Sequence, residues 1–305
     1  MDKIVSNKKF TVTASLFTIF ICIIFGTNTV AIKVALSGFD VFASIVIRFF
    51  FASLTILLWA KLTKKTFSIK KGNLKKLIII SLLFVVNISC YIFGLSQTSA
   101  ARATLLINTQ PFFLLLLSHF FLLDDKIYLK KFFGITIAFI GVLSLFIFKE
   151  DVAGNFRHGD ILVIFGAFFW AIGAVYVKKE MENFESFQLV FYPMLFSIPI
   201  FLLESVLFDV NIVKQINVTV ICALLYQIFA ASFGYIAWNY LLARYRASTL
   251  YSFIFIMPIA GVFTSALILK EPLTINIFIA LILVVLGIII VQAPKNNEII
   301  NKILT

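Results

Sequence analysis

The sequence predicts an all-α integral membrane protein with ten transmembrane helices, built as two inverted five-helix repeats. Three observations carry this. Hydrophobic residues make up 62% of the 305 and charged ones 13%, whereas soluble domains average roughly 45–50% and about 25%. The apolar residues fall into ten runs separated by short charged segments. The second five runs then repeat the motifs of the first five in the same order.

The runs lie at about 12–34, 41–60, 76–96, 102–123, 132–148, 160–177, 187–208, 217–241, 247–269 and 274–292. Each approaches the roughly 20 residues needed to cross about 30 Å of hydrocarbon. They are long and continuously apolar, so helices are expected rather than the alternating strands of a barrel. The first run is too long for a signal-peptide core and lacks a small-residue cleavage site, which makes it a retained span.

The net charge is +12, yet the basic residues sit in clusters between spans, as in cytoplasmic loops. With a cytoplasmic N-terminus, only Lys33, Arg102, Lys149, Arg157, Lys214 and Lys270 of the 26 Lys and Arg face outside. Arg48 lies within a span and the rest fall inside. Both termini are therefore expected in the cytoplasm and the protein in the plasma membrane, with the lipid bilayer as its first partner. No continuous basic surface exists, so nucleic acid is not an expected partner. Cys22, Cys90 and Cys222 lie inside apolar runs without metal or redox spacing, which argues against a disulfide framework or zinc site. No phosphate-binding GxxxxGK[ST] motif occurs, and no cofactor is expected.

The duplication is read from ordered pairs. Phe25-Gly-Thr-Asn-Thr-Val-Ala-Ile-Lys33 parallels Trp170-Ala-Ile-Gly-Ala-Val-Tyr-Val-Lys178 at a shift of 145. Asp125 and Glu271, Gly141 and Gly287, Pro111 and Pro258, and the Arg102 and Arg246 segments follow at nearly the same shift. The repeats span about 14–148 and 160–292. Five spans is an odd number, so the second unit enters the bilayer upside down, a pattern characteristic of secondary transporters.

These pairs, with Phe25-Gly26, Trp170-Ala171, Arg48-Phe49, Tyr91 and the segment from Ser99 to Ala103, resemble the drug/metabolite transporter superfamily, and its ten-helix EamA-type members in particular. The sequence departs from that pattern at Pro193, which stands where a counterpart of Arg48 is expected, and at Asp125, which replaces a glutamate. The resemblance implies a transporter with a central cavity between the repeats. It leaves the substrate open among amino acids, nucleotide derivatives, drugs and other metabolites, with export slightly favoured over import.

A substrate site is expected near the midplane, where the repeats meet. At 1.5 Å per residue, Asn87, Gln110, Trp170 and Gln227 fall near mid-depth. Buried amides must be partnered, either by a small-molecule substrate or by neighbouring helices. Asn87, Cys90, Tyr91 and Gly94 share one helical face, as do Gln227, Ala231, Gly234 and Trp238. Tyr91 and Trp238 thereby join the substrate-binding candidates. Asn28 lies nearer the outside and suits a gate. Pro111 and Pro258 each remove a helix hydrogen bond at equivalent places and are candidate hinges.

Arg48 is the single charge deep in a span and is read as structural, satisfied by carbonyls or by reaching outward. Glu204 is expected to reach the headgroups. His119 is a lone interfacial histidine, and Asp124-Asp125 lacks the further carboxylates a magnesium site needs.

The leading function is a secondary transporter of amino-acid-like metabolites. A membrane-embedded lipid enzyme and an importer of a nucleotide-derived metabolite are the alternatives. The enzyme would need clustered catalytic groups that His119 and His158, on opposite sides of the membrane, do not supply.

Overall fold

A computed structural model describes residues 10–98, 100–123, 125–145, 158–269 and 275–293. The positions Asp124, Lys149, Arg157, Lys270 and Glu271 lie outside these, as does Ser99. The described chain is helical almost throughout: α1 Val12–Ala35, α2 Val41–Leu62, α3 Leu74–Gln97, α4 Ala100–Ile107, α5 Gln110–Phe121, α6 Leu129–Ser144, α7 His158–Glu180, α8 Gln188–Phe208, α9 Val218–Phe229, α10 Tyr235–Arg244, α11 Ala247–Tyr251, α12 Ile256–Leu269 and α13 Ile275–Gln292. A π-helical turn, Ala230–Gly234, joins α9 to α10, and a 3-10 turn, Ser252–Phe255, joins α11 to α12.

Eight helical stretches among the described residues are long and apolar enough to cross a bilayer. The shorter helices α6 and α13 bring the rods to ten. Large apolar side chains point outward all around, with Leu16, Leu58, Phe120, Leu203, Leu225 and Ile282 each more than half exposed. Water would not tolerate such a surface, whereas hydrocarbon accepts it, and the helices satisfy their own backbone groups. The protein is a multi-pass membrane protein.

Three rods are irregular, two of them at the prolines named as candidate hinges. Span 4 is broken at Asn108 and Thr109 into α4 and α5. Pro111 has no N–H to continue the ladder to Ile107 O, and two side chains turn back onto carbonyls of α4. Asn108 Nδ2 donates to Thr104 O at 2.6 Å, and Thr109 Oγ1 to Leu106 O at 2.6 Å. Span 9 tightens into its 3-10 turn just before Pro258, where Ser252 Oγ donates to Thr249 O at 2.7 Å. The two irregularities occupy equivalent places in the two halves. Span 8 carries its π turn in the small-residue stretch Ala230-Ala231-Ser232.

The packing obeys a pseudo-two-fold rule. Span 2 packs on span 7 and span 5 on span 10; span 1 packs on spans 8 and 9 just as span 6 packs on 3 and 4. The contact between α6 and α13 shows the inversion residue by residue. A Cβ at Gly134 would lie 2.7 Å from Gly287 O, and one at Gly141 would lie 3.0 Å from Ala280 O. The helices therefore run antiparallel, and exchanging the repeats converts the first contact into the second. Only glycine permits so close a backbone approach at Gly134 and Gly287.

Two faces follow from this order. The N-terminal face carries Phe10 and the connections 63–73 and 181–187; the distal face carries 36–40 and 209–217. On the distal face, α2 and the connection after α8 are tied together by two aspartates. Asp209 accepts from Phe42 N and Ala43 N at 3.1 and 2.7 Å, and Asp40 accepts from Val210 N and Asn211 N at 3.0 and 3.1 Å. Asp209 thus serves free donors of the first turn of α2, and Asp40 serves those of the connection 209–217. The hydrogen-bonded Lys214, 2.7 Å away, holds the Asp40 carboxyl below its usual range despite partial burial.

The N-terminal face is fastened between the repeats. Asp125 and Lys131, 3% and 0% exposed, pair at 2.5 Å. Asp125 also accepts from Ser248 N at 2.7 Å and from Ser248 Oγ, so it caps α11 and joins the end of span 4 to the start of span 9. Lys178 Nζ donates to Leu242 O at 2.6 Å and Tyr245 O at 2.8 Å, at the carbonyl end of α10. Cations are favoured at such helix C-termini. Its repeat counterpart Lys33 makes no such bond among the described residues and is exposed.

Candidate functional site

Where the two halves meet, spans 1–4 and 6, 8 and 9 enclose a cavity of about 240 Å³. It extends toward the distal face, with Lys33 at that end. A smaller lobe of about 100 Å³ lies toward the N-terminal face. Phe25, Asn87, Trp170, Tyr235 and Met257 line both and form the waist between them. Phe25 and Trp170 are repeat equivalents, so the narrowest level carries one bulky ring from each half. Gly234 lets the Phe25 ring in, since a Cβ there would lie 2.6 Å from the ring.

The larger lobe concentrates unsatisfied polarity. Asn28 Oδ1, Arg48 Nε, Asn108 Oδ1 and Gln110 Nε2 are buried, lack a hydrogen-bond partner among the described residues, and belong to residues that line this lobe. Buried polar atoms are ordinarily paired. Four residues with such atoms surround this one space.

The sequence-derived candidates divide around this cavity. Asn87 lines both lobes and donates to Gly166 O at 2.8 Å, bridging α3 to α7. Tyr91, Gln110, Asn28 and Pro258 line the larger lobe, and Trp170 lines both. Trp238 lines the smaller lobe, its ring 5.3 Å from and nearly perpendicular to that of Tyr251. Gln227 lines neither; its Nε2 donates to Ala31 O at 3.2 Å and holds α9 to α1. Pro111 is buried beside the break in span 4 but lines neither lobe.

Arg48, expected to serve structure alone, lines the larger lobe and is 5% exposed. Its guanidinium sits over the Phe49 ring at 4.3 Å from the centroid. Glu204, expected at the headgroups, accepts from Ser89 Oγ at 2.8 Å through both oxygens. His119 Nδ1 accepts from Ile127 N at 3.1 Å, which gives it a structural task in the turn after α5.

Sequence reasoning missed Asn108 and Tyr235. Tyr235 had a usable signal: it follows Tyr91 by the same 144 residues that separate Arg102 from Arg246. Asn108 had none beyond its place three residues before Pro111, because its exposure to the cavity depends on the break in the helix.

The chain matches the profile of the EamA-like transporter family twice, over residues 12–147 and 157–292. It belongs to that family. Relatives of this EamA-type transporter include the uncharacterized transporter YoaV of Bacillus subtilis (strain 168), 24% identical over 273 residues, covering 88% of this chain and 92% of the relative. A probable amino-acid metabolite efflux pump of Escherichia coli (strain K12) is 28% identical over 284 residues, covering 88% and 91%. A crystal structure superposes on the transporter with a TM-score of 0.80 at 13% identity, over 91% of this chain and 96% of that one, which speaks for the fold. The EamA fold accounts for the two-fold packing, and the cavity lies between the two repeats.

Proposed function

We propose that this EamA-family protein is a secondary transporter that exports small amino-acid-like metabolites by alternating access across the plasma membrane, with both termini in the cytoplasm. The carrying observation is the larger lobe, with four unpartnered buried polar atoms at the junction of the repeats. Asn87, Tyr91, Gln110 and Trp170 meet the solute in this reading, and Asn28 lies on its path toward the distal face. Gln227 holds helices together, and Trp238 belongs to the small lobe on the opposite side of the waist. The breaks before Pro111 and Pro258 act as paired hinges, because interrupted backbone at equivalent places lets each half bend without unmaking a full helix. The placement of Lys and Arg supports the orientation. The relatives described as amino-acid metabolite efflux pumps support the substrate class and the direction.

The test is reconstitution. Purified protein is screened against metabolites for thermal stabilisation, since a ligand bound only by the folded form raises apparent stability. Ligands found this way are then followed across proteoliposome membranes. Asn87→Ala and Gln110→Ala each raise KM about tenfold or more, in keeping with the loss of a buried hydrogen bond of about 1–3 kcal/mol. Unchanged transport of a confirmed substrate by both variants would overturn the site.

A further inference from the structure

We infer that Arg48 is the substrate's anion-binding residue, and that this carrier takes small molecules bearing a carboxylate. The inference rests on the transporter reading above and adds to it the chemical class of the cargo and the residue that selects it.

Arg48 sits in the first half of α2, deep in the bilayer by sequence and 5% exposed in the fold. A guanidinium does not give up its charge, and a buried charge requires a partner. No carboxylate supplies one here. Among the described residues Arg48 makes no ion pair and no hydrogen bond. Its electrostatic neighbours are the phenols of Tyr91 and Tyr235, and its plane rests on the Phe49 ring. A ring face and two neutral hydroxyls leave the positive charge without a counter-ion.

The cavity wall continues the argument. Among the described residues its charged members are Arg48 and Lys33, and none of its described lining residues is an Asp or Glu. The described lining thus presents positive charge to an occupant, strengthened by the low dielectric around it. The planar fork of Arg matches a planar carboxylate with two parallel hydrogen bonds. Tyr91 and Tyr235 are repeat equivalents, so each half brings one hydroxyl to the same group. Around the rest of the lobe stand neutral amides, Asn28, Asn108 and Gln110, with unpartnered atoms. These suit an ammonium, hydroxyl or keto group on the same small molecule. A cavity of about 240 Å³ lies below the roughly 300–1,000 Å³ of drug-sized sites, which favours a compact acid over a bulky one.

A purely structural Arg48 makes the opposite prediction on stability. Removing an arginine that holds the fold lowers the melting temperature. Removing one that waits for a ligand relieves the empty protein of an unpaired charge.

The experiment compares wild type, Arg48→Met and Arg48→Lys, each checked for a monodisperse detergent-solubilised species. The probes are the twenty amino acids, their carboxamides, short-chain 2-hydroxy acids and inorganic phosphate. Each is scored by thermal stabilisation and by counterflow in proteoliposomes. Wild type is expected to bind at least one free acid ten-fold or more tighter than its carboxamide. Arg48→Met should melt no lower than wild type without ligand and should lose the preference for acid over amide. Arg48→Lys, keeping charge but not the fork, should retain a reduced preference.

Equal binding of acids and amides by wild type overturns the carboxylate inference while leaving the transporter reading intact. So does an acid preference that survives in Arg48→Met. A response to phosphate alone, with none to carboxylates, overturns it in favour of a phosphorylated cargo. If no probe binds or moves, this inference falls together with the amino-acid reading. Should Arg48→Met fail to fold, the structural role is upheld and the inference falls, unless Arg48→Lys folds and shows the reduced acid preference.

Discussion

Gln110 and Gln227 lie at similar depth by sequence, yet their side chains are differently engaged. Gln110 is 1% exposed with its Nε2 unpartnered at the cavity wall; Gln227, also 1% exposed, gives its Nε2 to Ala31 O. Gln227→Ala should therefore lower stability by about 0.6 kcal/mol, an ordinary interhelical hydrogen bond in a membrane protein, and leave KM unchanged. Gln110→Ala should raise KM and leave the melting temperature nearly unmoved, because no bond is lost. Thermal melts and counterflow kinetics on the two variants check this; a KM shift in Gln227→Ala would contradict it. Depth was legible in the sequence, since 1.5 Å per residue converts position to height. Azimuth was legible in span 3, whose Asn87 and Tyr91 face lines the cavity, but not in span 2 or around Asn108, where no polar stripe marks the side turned toward it. That is why Arg48 read as structural and why Asn108 and Tyr235 went unnoticed.

Among the elements, the broken spans 4 and 9 hold most of the local detail. Pro111 and Pro258 announced an interruption in the sequence, but not that the chain would break before the first proline, with Asn108 and Thr109 capping the carbonyls of α4. The π turn in span 8 had no sequence sign at all, because Ala and Ser fit α and π backbones alike. The two broken spans are joined at the N-terminal face by Asp125, whose carboxylate serves Lys131 and the start of α11 together. Removing one member of a buried pair strands the other. Asp125→Asn should thus lower stability by roughly 3–5 kcal/mol, and the double change Asp125→Asn with Lys131→Met should recover part of that loss. Denaturation of the single and double variants in detergent measures the difference. Additive losses would show that the two groups act independently.

At the level of the whole molecule, the ten spans were the most legible feature, since hydropathy over some twenty residues has few other readings in lipid. The inversion was legible as well, because constant shifts between motifs and an odd number of spans per unit leave no other arrangement. What the sequence could not contain is asymmetry. Two equivalent halves define a symmetric molecule, yet among the described residues Lys178 is seated on carbonyls while Lys33 is not, and the larger space lies toward the distal face. Which of two such arrangements is populated depends on a balance of a few contacts, not on the pattern of residues.

Lys178 and Lys33 make that imbalance concrete. One is seated on the carbonyls of Leu242 and Tyr245; the other, its twin, is unmoored. Applying the repeat shift to the occupied seat places a vacant berth for Lys33 at the carbonyls of residues 98 and 101, at the end of span 3. If the halves trade shapes, the twins trade duties, and the carrier's resting posture becomes a contest between two identical ammonium groups. Lys178→Gln should tilt that contest so that a cysteine placed at Asn239 gains access to a thiol reagent while one at Thr104 loses it. Lys33→Gln should do the reverse. Labelling in a background free of Cys22, Cys90 and Cys222 reads both, and equal labelling in the two variants would mean that neither lysine has a vote. With one lysine seated and its twin free, the two ends of the carrier are held by unequal means, and the equivalence of the halves lets that inequality be reversed.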